Sequence, residues 1–294
     1  RGQPACARAS MNPERASMRL RGRVALVTGC GPNINAGIAY GLAEEGAKLI
    51  CVDRLADYAE ACAHALRNRG AEAVGLTCDV TREDEVRSAV VQAEAALGPI
   101  DVLVNGAALQ IRKGLLDVSP DEFRRQLDVS LGGALLFTKQ VARSMIEHRR
   151  RGSIINIGST EGHQGNIGNI GYGTAKAGLL HFTRCAAMEL AEFGIRVNSL
   201  SPTGTDPAEG LERAAAWGVT WKPGLQEPAR ADMSSGDQGL PLGRRPGPRH
   251  YARGVVFLAS DDAEMITGID LRVDGGAVSR YWRWNPGTKI LPAD

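Results

Sequence analysis

The chain has 294 residues, 43% of them hydrophobic and 23% charged, with 36 glycines and 14 prolines that follow no repeat period. That composition excludes collagen-like, coiled-coil and wholly disordered chains, and the length allows one large domain or two ordinary ones. Thirty-five basic against 33 acidic side chains leave a formal charge of +2, too weak a field to recruit nucleic acid or an anionic membrane surface.

In chain order, residues 1 to about 20 hold no apolar run and read as a flexible N-terminal extension. Runs rich in branched residues at 24–27, 49–52, 74–76, 102–104, 154–157 and 195–200 predict strands buried on both faces. Between them, Ala, Leu, Glu and Arg at helical spacing predict helices over 36–45, 56–69, 83–97, 120–148 and 172–192. The segment 205–240 is rich in Gly, Pro and Ser and reads as a substrate lid or a linker. A helix at 250–259 and a strand at 270–273 follow, then a tail over about 277–294 with Tyr281, Trp282 and Trp284, placed to close a pocket or meet another subunit. The alternation predicts an α/β fold, a single Rossmann-type domain over 21–294 with a doubly wound parallel sheet flanked by helices.

No apolar stretch approaches the roughly 20 residues that span a bilayer, and Cys6, Cys30, Cys51, Cys62, Cys78 and Cys185 never fall in C-x-x-C spacing. A soluble protein in the reducing cytoplasm is expected, without disulfides. The five histidines show no ligand spacing with cysteines or carboxylates, so no metal is expected.

Ligands of such sheets bind beyond the carboxyl ends of the strands. After the first strand, the run from Thr28 through Gly29, Cys30, Gly31, Pro32, Asn33, Ile34 and Asn35 to Ala39 is a turn opening into a helix, where backbone amides can approach a pyrophosphate. Asp53 ends the second strand about 20 residues on, where a carboxylate accepts hydrogen bonds from a ribose diol. Ser159 stands thirteen residues before Tyr172, and Lys176 four residues after it, so the last two share one helix face.

With these motifs in this order the sequence resembles the short-chain dehydrogenase/reductase family from about Gly22 to Gly276. The resemblance rests on the TGxxxGxG turn at Thr28–Asn35, on Asp79, and on a relative of NNAG at Asn105, Gly106, Ala107 and Ala108. It continues through Ser159, the YxxxK pair, Pro202-Thr203-Gly204, Pro241–Arg244, Ile266–Gly268 and Val273–Gly276. It implies a hydride-transferring oxidoreductase that interconverts a secondary alcohol and its ketone. Tyr172 is then the general acid and base, its pKa lowered by the Lys176 ammonium, and Ser159 the partner of the substrate oxygen. Lys176 also holds the nicotinamide ribose, and Ser130 takes the place of the family's relay asparagine.

The implied cofactor is NAD, because Asp53 repels a 2′-phosphate, with Arg54 as the opposing feature. Its binding residues are Gly29, Gly31, Asn33, Ile34, Asn35, Asp53, Asp79, Val80, Asn105, Gly106, Ala107, Tyr172, Lys176, Pro202, Thr203 and Thr205. Asn33 and Asn35 replace motif glycines. Asn33 is expected to keep the turn by tolerating positive φ, and Asn35 either to crowd the helix or to turn its amide to the phosphates. The partners implied are a small alcohol or carbonyl substrate and further copies of the chain, as a tetramer or dimer. Two other readings stay open: a dinucleotide sensor or scaffold with little turnover, and an NAD-assisted epimerase or dehydratase.

Overall fold

All five residues of β1 (Val24–Thr28) are buried, and its side chains divide between two apolar layers. Ala25 and Val27 join one core with residues 36–42 and 251–259, while Val24 and Leu26 join another with Val86, Val90, Phe137 and Val141. The two-residue period of a strand sends alternate side chains to opposite faces, so a strand that is apolar throughout must be covered on both. The structure, a computed structural model, describes residues 18–222 and 240–280.

Six further strands join β1: β2 (Lys48–Asp53), β3 (Ala73–Thr77), β4 (Val102–Asn105), β5 (Ser153–Ile157), β6 (Arg196–Pro202) and β7 (Asp270–Val273). All pair in parallel, in the order β3-β2-β1-β4-β5-β6-β7. The order reverses at β1 and β4, which opens a crevice beyond their carboxyl ends. The expected single Rossmann-type domain is therefore present.

The helices are α1 (Ile34–Glu44), α2 (Ala56–Arg67), α3 (Glu83–Leu97), α4 (Pro120–Leu127), α5 (Gly133–Glu147), α6 (Ile170–Leu190), α7 (Ala208–Trp217) and α8 (Pro248–Ala259). Helices α1 and α8 pack closely because Gly41 has no side chain; a Cβ there would lie 2.7 Å from that of Ala252.

Two expectations about elements are corrected. The helix expected over 120–148 is broken: a π turn, Asp128–Gly132, separates α4 from α5. Single π turns recur at functional sites, and this one holds Ser130. The segment 205–240, expected to be irregular, contains α7, a short helix hidden between Pro207 and Gly218, whose φ of +68° ends it. Residues 1–17, 223–239 and 281–294, and with them Tyr281, Trp282 and Trp284, lie outside the described residues.

Candidate active site

Two elements, β5 and α6, deliver Ser159, Tyr172 and Lys176 to one place. Ser159 follows β5 in extended backbone and caps the next short turn, its Oγ accepting the Glu161 N–H at 3.1 Å. Tyr172 and Lys176 lie on successive turns at the start of α6. Lys176 is 2% exposed, its Nζ donating to the Ile157 carbonyl at 2.6 Å and standing 5.6 Å from the centre of the Tyr172 ring.

The electrostatics reverse one expectation. Tyr172 is half-buried, and desolvation pushes its phenol up to about 12; the Ser159 hydroxyl and Arg112 pull it down, whereas Glu161 raises it further. Burial also pushes the Lys176 ammonium down to about 8. The expected lowering of the phenol by Lys176 is therefore not found, because the cost of a buried charge dominates both groups. At neutral pH Tyr172 holds its proton.

Ser130 is 1% exposed, and its Oγ accepts the Leu109 N–H at 3.1 Å, which fastens the loop after β4 to the π turn. In the same loop Gly106 and Ala107 donate their N–H groups to Thr28 Oγ1 at 3.0 and 3.2 Å. Asn105 lies deeper, its Nδ2 donating to Thr138 Oγ1 at 3.0 Å and to Asn156 Oδ1 at 2.9 Å. These bonds hold β4 against β5 and α5.

The crevice continues as a groove of about 340 Å³ lined by Gly29, Asp53, Arg54, Asp79, Val80 and Ala107, among others. Asp53 Oδ1 accepts the Leu55 N–H at 2.9 Å, and burial holds this carboxyl above its ordinary value. Asp79 is held low, chiefly by the Thr81 N–H, and also accepts the Thr81 hydroxyl. Gly29 has φ of +73°, and a Cβ there would lie 2.8 Å from the Ala107 Cα, so the chain needs glycine where β1 turns.

The rest of the turn departs from expectation. Asn33 has φ of −93°, so it uses no positive φ. Gly31 faces the Tyr58 ring, and Ile34 opens α1. The Asn35 amide donates to the Gly29 carbonyl at 2.8 Å and to the Gly106 carbonyl at 3.0 Å, which commits both its hydrogens to protein rather than to phosphates. No side chain caps α1, and its first turn carries no acidic residue, which suits an anion at that terminus. With the left-handed turn at Gly29 and a carboxylate at the end of β2, the chain's own residues fit a nicotinamide dinucleotide.

Beyond β6, which ends in Pro202, the Thr203 carbonyl accepts the hydroxyls of Thr205 and Tyr251 at 3.1 and 3.2 Å. Sequence reasoning missed Glu161, Asn169 and Arg213. Glu161 Oε1 accepts Nδ2 of Asn166 at 2.7 Å and of Asn169 at 3.2 Å, while its Oε2 is buried without a partner. Its place two residues after Ser159 was the available signal. Arg213 reaches from α7 to the carbonyls of Pro32 and Asn33 at 2.8 and 3.2 Å, a contact that no sequence signal announces.

Comparison with known proteins identifies the family. The family model described as short chain dehydrogenase matches residues 23–217. The chain is 35% identical over 259 residues to the 3-oxoacyl-acyl-carrier-protein reductase of Escherichia coli, covering 88% of this chain and 98% of that one. It is 36% identical to the cis-4-hydroxycyclohexanecarboxylate dehydrogenase of Sinomonas cyclohexanicum, covering 86% and 96%. Among solved structures, an NAD+-bound xylitol dehydrogenase is 33% identical with a TM-score of 0.77, covering 87% of this chain and 99% of that one. A gluconate 5-dehydrogenase from Burkholderia cenocepacia, in complex with NADP and tartrate, is 32% identical with a TM-score of 0.79, covering 90% and 98%.

Proposed function

The chain belongs to the short-chain dehydrogenase/reductase family of oxidoreductases, and on that premise we propose that it interconverts a small secondary alcohol and its ketone with NAD. The observation that carries this reading is the convergence of Ser159, Tyr172 and Lys176 at the carboxyl end of β5, in a sheet whose crevice holds a groove lined by Gly29, Asp53 and Asp79. When bound, the dinucleotide supplies a hydride acceptor for the alcohol or a hydride donor for the ketone.

The chain's residues do the rest. Ser159 Oγ donates a hydrogen bond to the substrate oxygen and steadies charge that develops there. Tyr172 Oη gives its proton to that oxygen in reduction and removes it in oxidation. Lys176, anchored on the Ile157 carbonyl, holds the ribose and keeps a cation near the phenol. With its phenol pushed up to about 12, Tyr172 keeps its proton at neutral pH and can give it to a ketone oxygen, and removal of the alcohol proton gains as pH rises.

The relatives named for xylitol and gluconate support a substrate with further hydroxyl groups. Asp53 favours NAD over NADP. The exposed Leu135, Ile146 and Met188 on α5 and α6 support an oligomer, and the unpaired state of all five described cysteines supports a reducing cytoplasmic location.

A panel of polyols and cyclic alcohols, followed by NADH formation, tests the reading. Turnover of one of them, with higher kcat/KM for NAD than for NADP, is the expected result. Tight dinucleotide binding without turnover of any alcohol or ketone would replace it with the sensor reading.

A further inference from the structure

Three cysteines far apart in the sequence converge beneath the phosphate turn. Cys30 comes from the turn after β1, Cys51 from β2 and Cys62 from α2, and each is 0% exposed. Their three sulfurs lie within 4.8 Å of one another, with Cys51 Sγ and Cys62 Sγ 3.6 Å apart. Chain spacing gave no hint of this cluster; the pairing of β1 with β2 and the packing of α2 on β2 create it.

We propose that Cys30, Cys51 and Cys62 form a three-sulfur site for a monovalent d10 cation, copper(I), and that its occupancy opposes dinucleotide binding. A metal–sulfur distance of about 2.3 Å places three sulfurs around one ion at about 4.0 Å from one another, between the closest pair here and the outer limit of the cluster. Thiolate donors select soft ions. Among the described residues no fourth His, Cys, Asp or Glu joins the group, and full burial leaves no room for solvent to complete a tetrahedron. Three-coordinate copper(I) suits that donor set better than zinc, which takes four ligands in structural sites. Each cysteine that binds as a thiolate releases its proton to solvent, and neither metal nor sulfur changes oxidation state.

The coupling follows from Cys30. Its Sγ–H donates to the Val27 carbonyl at 3.1 Å, and its N–H to the Val52 carbonyl at 3.2 Å. Between Gly29 and Gly31, it is part of the turn assigned to the pyrophosphate. Drawing its sulfur onto a metal breaks the bond to Val27 and moves the turn, so metal and dinucleotide each weaken the other's binding by the same factor. This consequence rests on the proposed dinucleotide site; the metal stoichiometry does not.

The test is anaerobic titration of the reduced full chain with copper(I) against bicinchoninate as competing chelator. One tightly held ion per chain is expected, lost in Cys51→Ala and in Cys62→Ala and kept in the Cys78→Ala and Cys185→Ala controls. Copper X-ray absorption on the parent needs no variant to fold, and three sulfur neighbours are expected. No uptake, uptake kept in Cys62→Ala, a copper shell of nitrogen or oxygen, or loss of two thiols to a disulfide without bound copper would each overturn the site. Saturation with copper(I) is expected to raise the Kd for NADH at least tenfold, and an unchanged Kd would overturn the coupling. One copper per chain in a protein that binds no NADH at all supports the metal site and removes the dinucleotide reading alone.

Discussion

Asn35 donates its side-chain amide to the Gly106 carbonyl at 3.0 Å, across 71 residues of sequence. A Cβ at position 106 would overlap that amide, so asparagine at 35 depends on glycine at 106. The family motifs carry the reverse pair, glycine in the phosphate turn and asparagine as the second residue of NNAG. The two departures from the motifs thus compensate each other, and the amide ties the turn after β1 to the loop after β4.

Asn35→Gly removes two hydrogen bonds of about 1 kcal/mol each and adds glycine's helix penalty of about 1 kcal/mol. The expected outcome is a lower melting temperature and an NAD Kd raised about tenfold, by loss of the tie rather than of a phosphate contact. Gly106→Asn alone should destabilise more, and the double variant Asn35→Gly/Gly106→Asn should recover part of both losses, a coupling that a double-mutant cycle measures. Calorimetry showing tighter NAD binding in Asn35→Gly would make Asn35 an obstruction.

Tyr172→Phe keeps the ring and removes the proton. Turnover should fall at least roughly 10²-fold while NAD still binds, as general acid–base contributions of this size imply. Near-normal kcat in this variant would sink the mechanism.

Lys176 is held down at about 8 by burial, below its ordinary 10.5. The folded chain therefore binds fewer protons than the unfolded chain between those values, and its stability gains as pH rises through that window. Lys176→Met should raise the melting temperature of the unliganded protein most below pH 8, with the advantage shrinking toward pH 10.5. Taking the difference between the two proteins cancels groups away from Lys176, such as Cys78 and Tyr251, whose raised values act in the opposite sense. A difference that does not vary with pH would show that Lys176 titrates normally.

Glu161 raises the Tyr172 phenol and Arg112 lowers it. Glu161→Gln should move the pH profile of alcohol oxidation to lower pH, and Arg112→Ala should move it to higher pH. Superimposable pH profiles for all three proteins would remove both charges from the active site.

Asp53 and Arg54 line the same groove. NAD should be preferred in kcat/KM, with Asp53→Ala narrowing the preference and Asp53→Ala/Arg54→Ala lowering NADP use again. Equal or better kcat/KM with NADP in the parent would show that Arg54 outweighs the carboxylate.

The sequence by itself determined the sheet, its flanking helices and the identity of the catalytic candidates. Strand and helix periods are local properties, and Ser159, Tyr172 and Lys176 are fixed by spacing along one stretch of chain. It also reached Asp53 and Asp79, because residues just after strands in such a sheet must lie at the crevice.

Only the tertiary structure decided what surrounds them. The sign of the Tyr172 and Lys176 perturbations depends on how much water packing removes, and no local pattern encodes that. The role of Asn35 depends on the space left at Gly106, a neighbour only through the pairing of β1 with β4. The π turn at Ser130, the reach of Arg213 to the phosphate turn and the meeting of Cys30, Cys51 and Cys62 are likewise products of packing between distant elements. Periodicity marks which face of an element is buried; the partner it meets there is set by topology and packing.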